Sequence, residues 1–262
     1  MIKINKLDCP VELTSQLQKE LTEVYKITKE SVWQKKFIKE ALLASSYQKC
    51  VYCECKLEIE SNYLEVEHYY PKIKYPENVV DWDNLLPICK RCNVNKGDFD
   101  TYLNPFINPA LDNPKEHIML DLYRLRPVTI AGENTIEEIN LNDSSKVVLV
   151  RQQISDAVLN LLEDVYQKIL EYNENPSNRR LNRIANSCKG IFQEGLSDED
   201  YAGTVSTVLT NSPLFEIIIS FLKEHNRWDP EFLDIVNELN INALSTNKTL
   251  FLNYFKEKLT AN

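Results

Sequence analysis

Glycine is nearly missing from this chain, at 5 residues in 262. Neither GxGxxG nor GxxxxGK followed by Ser or Thr occurs, which excludes the Gly-rich phosphate loops of dinucleotide-binding and P-loop proteins. An all-β fold dense in tight turns is disfavoured for the same reason. No apolar run approaches the roughly 20 residues of a membrane span. The stretch Met1–Leu17 lacks the apolar core of a signal peptide. The chain therefore reads as cytoplasmic and without a membrane partner. In that compartment its 7 cysteines are thiols or metal ligands rather than disulfides. Positive charge is also short, with 30 Lys and Arg against 39 Asp and Glu and a net charge of −9. Phosphate contacts require cations, so the isolated chain is not an obvious nucleic-acid binder. The deficit is uneven: the net charge is +3 over residues 1–49 and −4, −3 and −5 over 50–100, 101–150 and 151–262. Any nucleic acid must be guided by the N-terminal segment, by a few local cations or by a partner's positive surface.

Apolar residues are plentiful, at 43%, enough for a substantial core. Leu13, Leu17, Leu21 and Val24 recur at helical spacing and predict a helix over 11–27. Ser31 with Gln34 reads as a capping box opening a second helix that ends near Ser45. Leu64 and Val66 alternate with Glu65 and Glu67, as in a short strand. Four prolines between 101 and 130 predict irregular, wrapped chain. From Lys146 the helical period returns, with a long helix ending before Asn175-Pro176 and further helices over 178–193, 213–225, 230–241 and 247–259. The expected fold is mainly α, with a small Cys-rich module set between helical segments. Its divisions are a helical segment over 1–46, a Cys-rich module over 47–105, an irregular connection over 106–145 and a helical domain over 146–262.

Two CxxC pairs, Cys50-Val51-Tyr52-Cys53 and Cys89-Lys90-Arg91-Cys92, each present two thiolates from one tight turn. Together they predict a closed tetrahedral Zn²⁺ site. Cys55 offers poorer geometry, and Cys9 and Cys188 read as packing residues. The 35 residues between the pairs exceed the gap of a simple zinc ribbon, so something is inserted there. The insert carries Glu67-His68 at the end of the predicted strand and then Asp81-Trp82-Asp83-Asn84. Asn93 follows the last cysteine. A neutral imidazole can take a proton from water near neutral pH. A carboxylate and an amide oxygen are hard ligands suited to Mg²⁺. His117 and His225 lie outside this cluster and read as structural.

The run Cys50-x2-Cys53, Glu67-His68-x2-Pro71, Asn84-x4-Cys89-x2-Cys92-Asn93-x2-Lys96-Gly97 resembles the HNH endonucleases, whose active site is a ββα-metal module. The resemblance implies that His68 is the general base and that Glu67 stands in place of the usual Asp metal ligand. It further implies that Asn84 holds the loop by hydrogen bonds, and that Asn93, at the start of a helix, is the second Mg²⁺ ligand. Glu at 67 and Asn at 93 depart from the commonest residues of the pattern. A second resemblance runs over residues 47–155, through Trp82-x-Asn84-Leu85-Leu86-Pro87, Asn108-Pro109 and Asp112-x-Pro114 to Arg151. It is to the PtuB-like nuclease subunits of Septu-type and retron-associated anti-phage systems.

That resemblance implies a metal-dependent endonuclease cleaving DNA in a defence complex, beside an ABC/SMC-like ATPase that this chain does not encode. Mg²⁺ at Glu67 and Asn93 and water activated by His68 would leave a 5′-phosphate. Lys72, Arg91 and Lys96 are candidate phosphate contacts, and Tyr69 and Tyr70 either stack on bases or pack. Two other readings stay open: an RNA-cleaving effector acting on tRNA, and a non-catalytic zinc-stabilised scaffold subunit.

Overall fold

The computed structural model describes residues 1–59 and 63–260. Two helices open the chain, α1 (Ser15–Thr28) and α2 (Lys36–Ser45). Thr14 caps α1 by accepting from the Leu17 N–H. The expected capping box at Ser31 does not form: α2 starts at Lys36 without a side-chain cap, and residues 31–34 make a turn that buries Val32 and Trp33. Burial of the indole outweighs the local capping preference, and that indole recurs below at the site.

Strands β1 (Leu64–His68) and β2 (Leu85–Cys89) pair antiparallel, with Leu64 opposite Cys89 and His68 opposite Leu85. Helix α3 (Lys90–Lys96) follows without a break. Every residue of β2 is buried because the hairpin lies between two cores. On one side Val66 and Leu85 pack with Leu21, Tyr25, Trp33, Ile38 and Leu42 of the N-terminal segment. On the other, Leu64, Leu86 and Ile88 join a core that includes Ile107, Ile118, Leu120 and Ile139.

The segment 106–145 is not irregular, contrary to the proline-based expectation. It holds a hairpin of β3 (Ile118–Asp121) and β4 (Arg124–Pro127) and a helix α4 (Ile130–Glu138). The turn is Leu122-Tyr123, with Leu122 at φ +55°. It has none of the Asn or Gly that normally announces such a loop, so only the burial of Ile118, Leu120 and Leu125 betrays the strands. Thr129 caps α4 through the Gly132 N–H. A Cβ at Gly132 would lie 2.0 Å from the His117 carbonyl, so glycine lets this helix meet the hairpin.

Helices α5 (Val147–Glu174), α6 (Asn178–Gln193), α7 (Ala202–Asn211), α8 (Pro213–Glu224) and α9 (Pro230–Asn242) enclose a separate core. Among the described residues no single helix is long and apolar enough to cross a membrane. Phe215, Ile218, Phe221 and Leu222, an apolar stretch suited to either a core or an interface, are buried here within the bundle. Cys188 is buried in the same core, whereas Cys9, also expected to pack, is exposed on the extended N-terminal segment. Beyond α9 the chain leaves the bundle. Leu244 enters the module core, Ser245 bridges to Met119, and Tyr254 of α10 (Lys248–Thr260) donates to Glu133 of α4 at 2.8 Å.

Candidate active site and metal centre

Cys50 and Cys53 sit in the turn before β1, Cys89 ends β2, and Cys92 lies in the first turn of α3. Their four Sγ atoms all lie within 4.8 Å of one another and all four residues are buried. The Cys53 and Cys89 sulfurs are 3.7 Å apart. A tetrahedral zinc site with bonds of about 2.3 Å spaces its sulfurs by about 3.8 Å, so the donor set fits that ion. Burial pushes the Cys50 thiol up, while hydrogen bonds from Cys50 hold Cys53 down. Four buried sulfurs can lose their protons together only opposite a cation. Cys55 Sγ lies 3.5 Å from Cys53 Sγ but falls outside the four-sulfur set. The cluster ties the 50–55 turn to the start of α3 and so fixes where Asn93 stands.

His68 ends β1 and is only 2% exposed. Its Nε2 lies 2.9 Å from the Val79 carbonyl. A carbonyl can only accept, so Nε2 carries the proton and the lone pair of a neutral ring resides on Nδ1. That Nδ1 is buried and has no hydrogen-bond partner. Burial lowers the imidazole pKa to about 3, with the Lys72 ammonium acting in the same direction, so the ring stays neutral. Trp33 stands edge-on against it, with centroids 4.7 Å apart at 85°, and the Lys72 ammonium lies 5.1 Å from the centre of the Trp33 ring.

Asn84 is buried and fastens the chain just beyond His68. Its Oδ1 accepts from the Tyr70 N–H at 2.6 Å, and its Nδ2 donates to the Tyr70 and Asn78 carbonyls at 3.2 and 3.0 Å. Glu67, also buried, pairs with the Lys96 ammonium at 2.5 Å. Lys96 Nζ also donates to the His68 carbonyl at 3.1 Å. Burial raises the Glu67 carboxyl above its usual range, and Lys96 partly offsets this. Lys96 and Asn93 are three residues apart on α3 and share a face, so Asn93 is carried to the side of the helix that Glu67 reaches. The Glu67 carboxylate is buried beside Lys96 and the Asn93 side chain is half-buried, and a carboxylate and an amide oxygen suit a hard divalent cation.

Two of the three expected phosphate contacts are otherwise engaged. Lys96 is buried in its pair with Glu67. Arg91 donates to the Ile139 and Asn140 carbonyls and to Cys92 Sγ. Lys72 alone keeps its ammonium beside His68. Tyr69 is buried and donates to the Phe106 carbonyl at 2.8 Å, so it packs. Nothing in the sequence neighbourhood of Trp33 ties it to His68.

The Lys96–Glu67 pair gives a direct test of this arrangement. Lys96→Met keeps the stem and leaves a buried carboxylate without its partner. Removing one member of a buried pair costs about 3–5 kcal/mol, so the urea midpoint should fall sharply. Lys36→Met, which breaks an exposed pair with Glu40, should move it little.

A ββα hairpin-helix, pinned by four cysteines and carrying a histidine with a free Nδ1, defines an HNH nuclease. A family model for the HNH endonuclease matches residues 50–99, and the protein is an enzyme that hydrolyses phosphodiester bonds. The Septu protein PtuB of Bacillus thuringiensis is 35% identical over 246 residues, covering 93% of this chain and 95% of that protein. The chain belongs to the PtuB family of HNH endonucleases. No solved structure matches it.

Proposed function

We propose that the chain cleaves DNA with His68 as general base, as the cytoplasmic nuclease subunit of a Septu complex with an ABC/SMC-like ATPase. The observation that carries the reading is the Nε2–Val79 contact, which leaves the Nδ1 lone pair free. His68 takes a proton from water through Nδ1. The hydroxide formed attacks phosphorus in line, the bond from phosphorus to the 3′ oxygen breaks, and the product carries a 5′-phosphate. The reaction makes no use of a 2′-hydroxyl, so DNA, which lacks one, can serve as substrate. Glu67 and Asn93 hold the catalytic cation, Mg²⁺ or another divalent ion. When bound, such a cation supplies charge stabilisation on the phosphate and on the leaving oxygen. Asn84 positions His68 by clamping the Tyr70 backbone. Cys50, Cys53, Cys89 and Cys92 hold structural Zn²⁺.

The division into residues 1–46, 47–105, 106–145 and 146–262 assigns the nuclease to the second part and partner contact to the last. A chain of net charge −9 needs positive surface to hold a polyanion, and an ATPase partner would supply it. The test is cleavage of plasmid, single-stranded DNA and tRNA in Mg²⁺, with and without the co-expressed ATPase. Cleavage of DNA with 5′-phosphate ends, strongest with the ATPase, is expected. Cleavage of tRNA alone would overturn the DNA assignment, and full activity without the ATPase would overturn its role.

A further inference from the structure

Beside His68 the surface carries three tyrosines in mutual contact. Ring centroids are 6.0 Å apart for Tyr70 and Tyr75, 5.8 Å for Tyr70 and Tyr102, and 5.3 Å for Tyr75 and Tyr102. Tyr70 and Tyr75 are half-buried, while Tyr102 is 67% exposed. The cluster is held in place from beneath. Asp100, itself buried, accepts from the Tyr75 hydroxyl at 3.0 Å, from the Tyr102 N–H at 3.2 Å and from Lys74 Nζ at 3.2 Å. Asn84 holds the Tyr70 backbone on both sides. The positions of all three residues are thus fixed before any ligand arrives, which lowers the entropy lost on binding.

We propose that Tyr70, Tyr75 and Tyr102 form a platform on which an unpaired nucleobase of the substrate stacks. The proposal rests on the reading of His68 as the base that acts on the neighbouring phosphodiester. His68 and Tyr70 are two positions apart in the chain, so their Cα atoms lie within about 7 Å, the scale of one nucleotide step. One cation, Lys74, shares Asp100 with the Tyr75 hydroxyl, and a second, Lys72, lies beside His68 over the Trp33 ring. An aromatic face with cations at its rim suits a base joined to phosphates. In a duplex both faces of each base are covered by its neighbours. The substrate class is therefore single-stranded or locally unpaired nucleic acid, taken with little preference among the bases.

The test uses the full chain carrying His68→Ala, so that bound strands stay intact, with a labelled oligothymidylate and a labelled blunt duplex hairpin followed by fluorescence anisotropy in Mg²⁺. Tighter binding of the single strand is expected. Adding Tyr102→Ala should weaken that binding by about 5- to 150-fold, the loss typical of one stacked base. Adding Tyr102→Trp should preserve it. Phe255→Ala, which removes an exposed ring on α10, should leave it unchanged. Equal affinity with and without the Tyr102 ring, preference for the duplex, or no binding of the single strand would each overturn the platform. Failure of the nuclease reading has a separate signature, wild-type cleavage rates by His68→Ala on a denaturing gel.

Discussion

Alanine at position 68 should cut turnover by about 10²–10⁴-fold, the usual loss when a general base is removed. Thermal unfolding and metal content should stay close to those of the parent. The expectation follows from the ring's environment. Nε2 is committed to the Val79 carbonyl and Nδ1 has no protein partner, so no other side chain is hydrogen-bonded there to accept the proton in its place. Asn84→Ala should lower turnover too, by loosening the Tyr70 turn without touching the imidazole, and should do so with smaller effect. Single-turnover cleavage at saturating Mg²⁺ separates the two. A wild-type rate for His68→Ala would remove the assignment of the base.

Loss of the zinc site should be more damaging still. Metal binding at structural zinc sites is worth about 10–16 kcal/mol of apparent free energy, comparable to the whole stability of a typical domain, about 5–15 kcal/mol. Cys89→Ser removes one of the four ligands, at the junction of β2 and α3. Elemental analysis should fall from about one zinc per chain, and the module should lose its cooperative melt. Cys188→Ser, in the separate helical core, should change neither metal content nor the melt of the module. Full zinc occupancy after replacing any two of Cys50, Cys53, Cys89 and Cys92 would exclude the site.

The centre of this site was legible because its chemistry is local. Two CxxC turns, a strand ending in Glu67-His68 and an asparagine following the last cysteine are each written within a few residues. The structure brings the four sulfurs together and places His68 and Asn93 on adjoining elements. What the sequence concealed depends on distant packing. The turn at Ser31 defers to burial of Trp33, whose function as a wall beside His68 involves residues 35 positions away. Lys96 looks like a surface cation until β1 folds over it. Helix α7 went unseen because Gly203, Thr204, Val205, Ser206 and Thr207 are weak helix formers. They adopt the helix because α5 and α9 enclose them, all five being buried. The turn Leu122-Tyr123 hid β3 and β4 for want of a signalling residue.

Helix α10 and the stretch before it have a consequence for the order in which the protein acquires its activity. Leu244 belongs to the same packed core as Cys50 and Ile88, and the Ser245 carbonyl accepts from the Leu120 N–H at 2.9 Å. Between the hairpin and these residues the ribosome must synthesise the whole of α5 to α9. At about 5–20 residues per second that interval is on the order of ten seconds. During this time the nascent nuclease lacks part of its core and the partner of its second hairpin. A phosphodiesterase assembled in this sequence completes its fold only after its bundle has been made, so the emerging polypeptide is least competent while it is still on the ribosome.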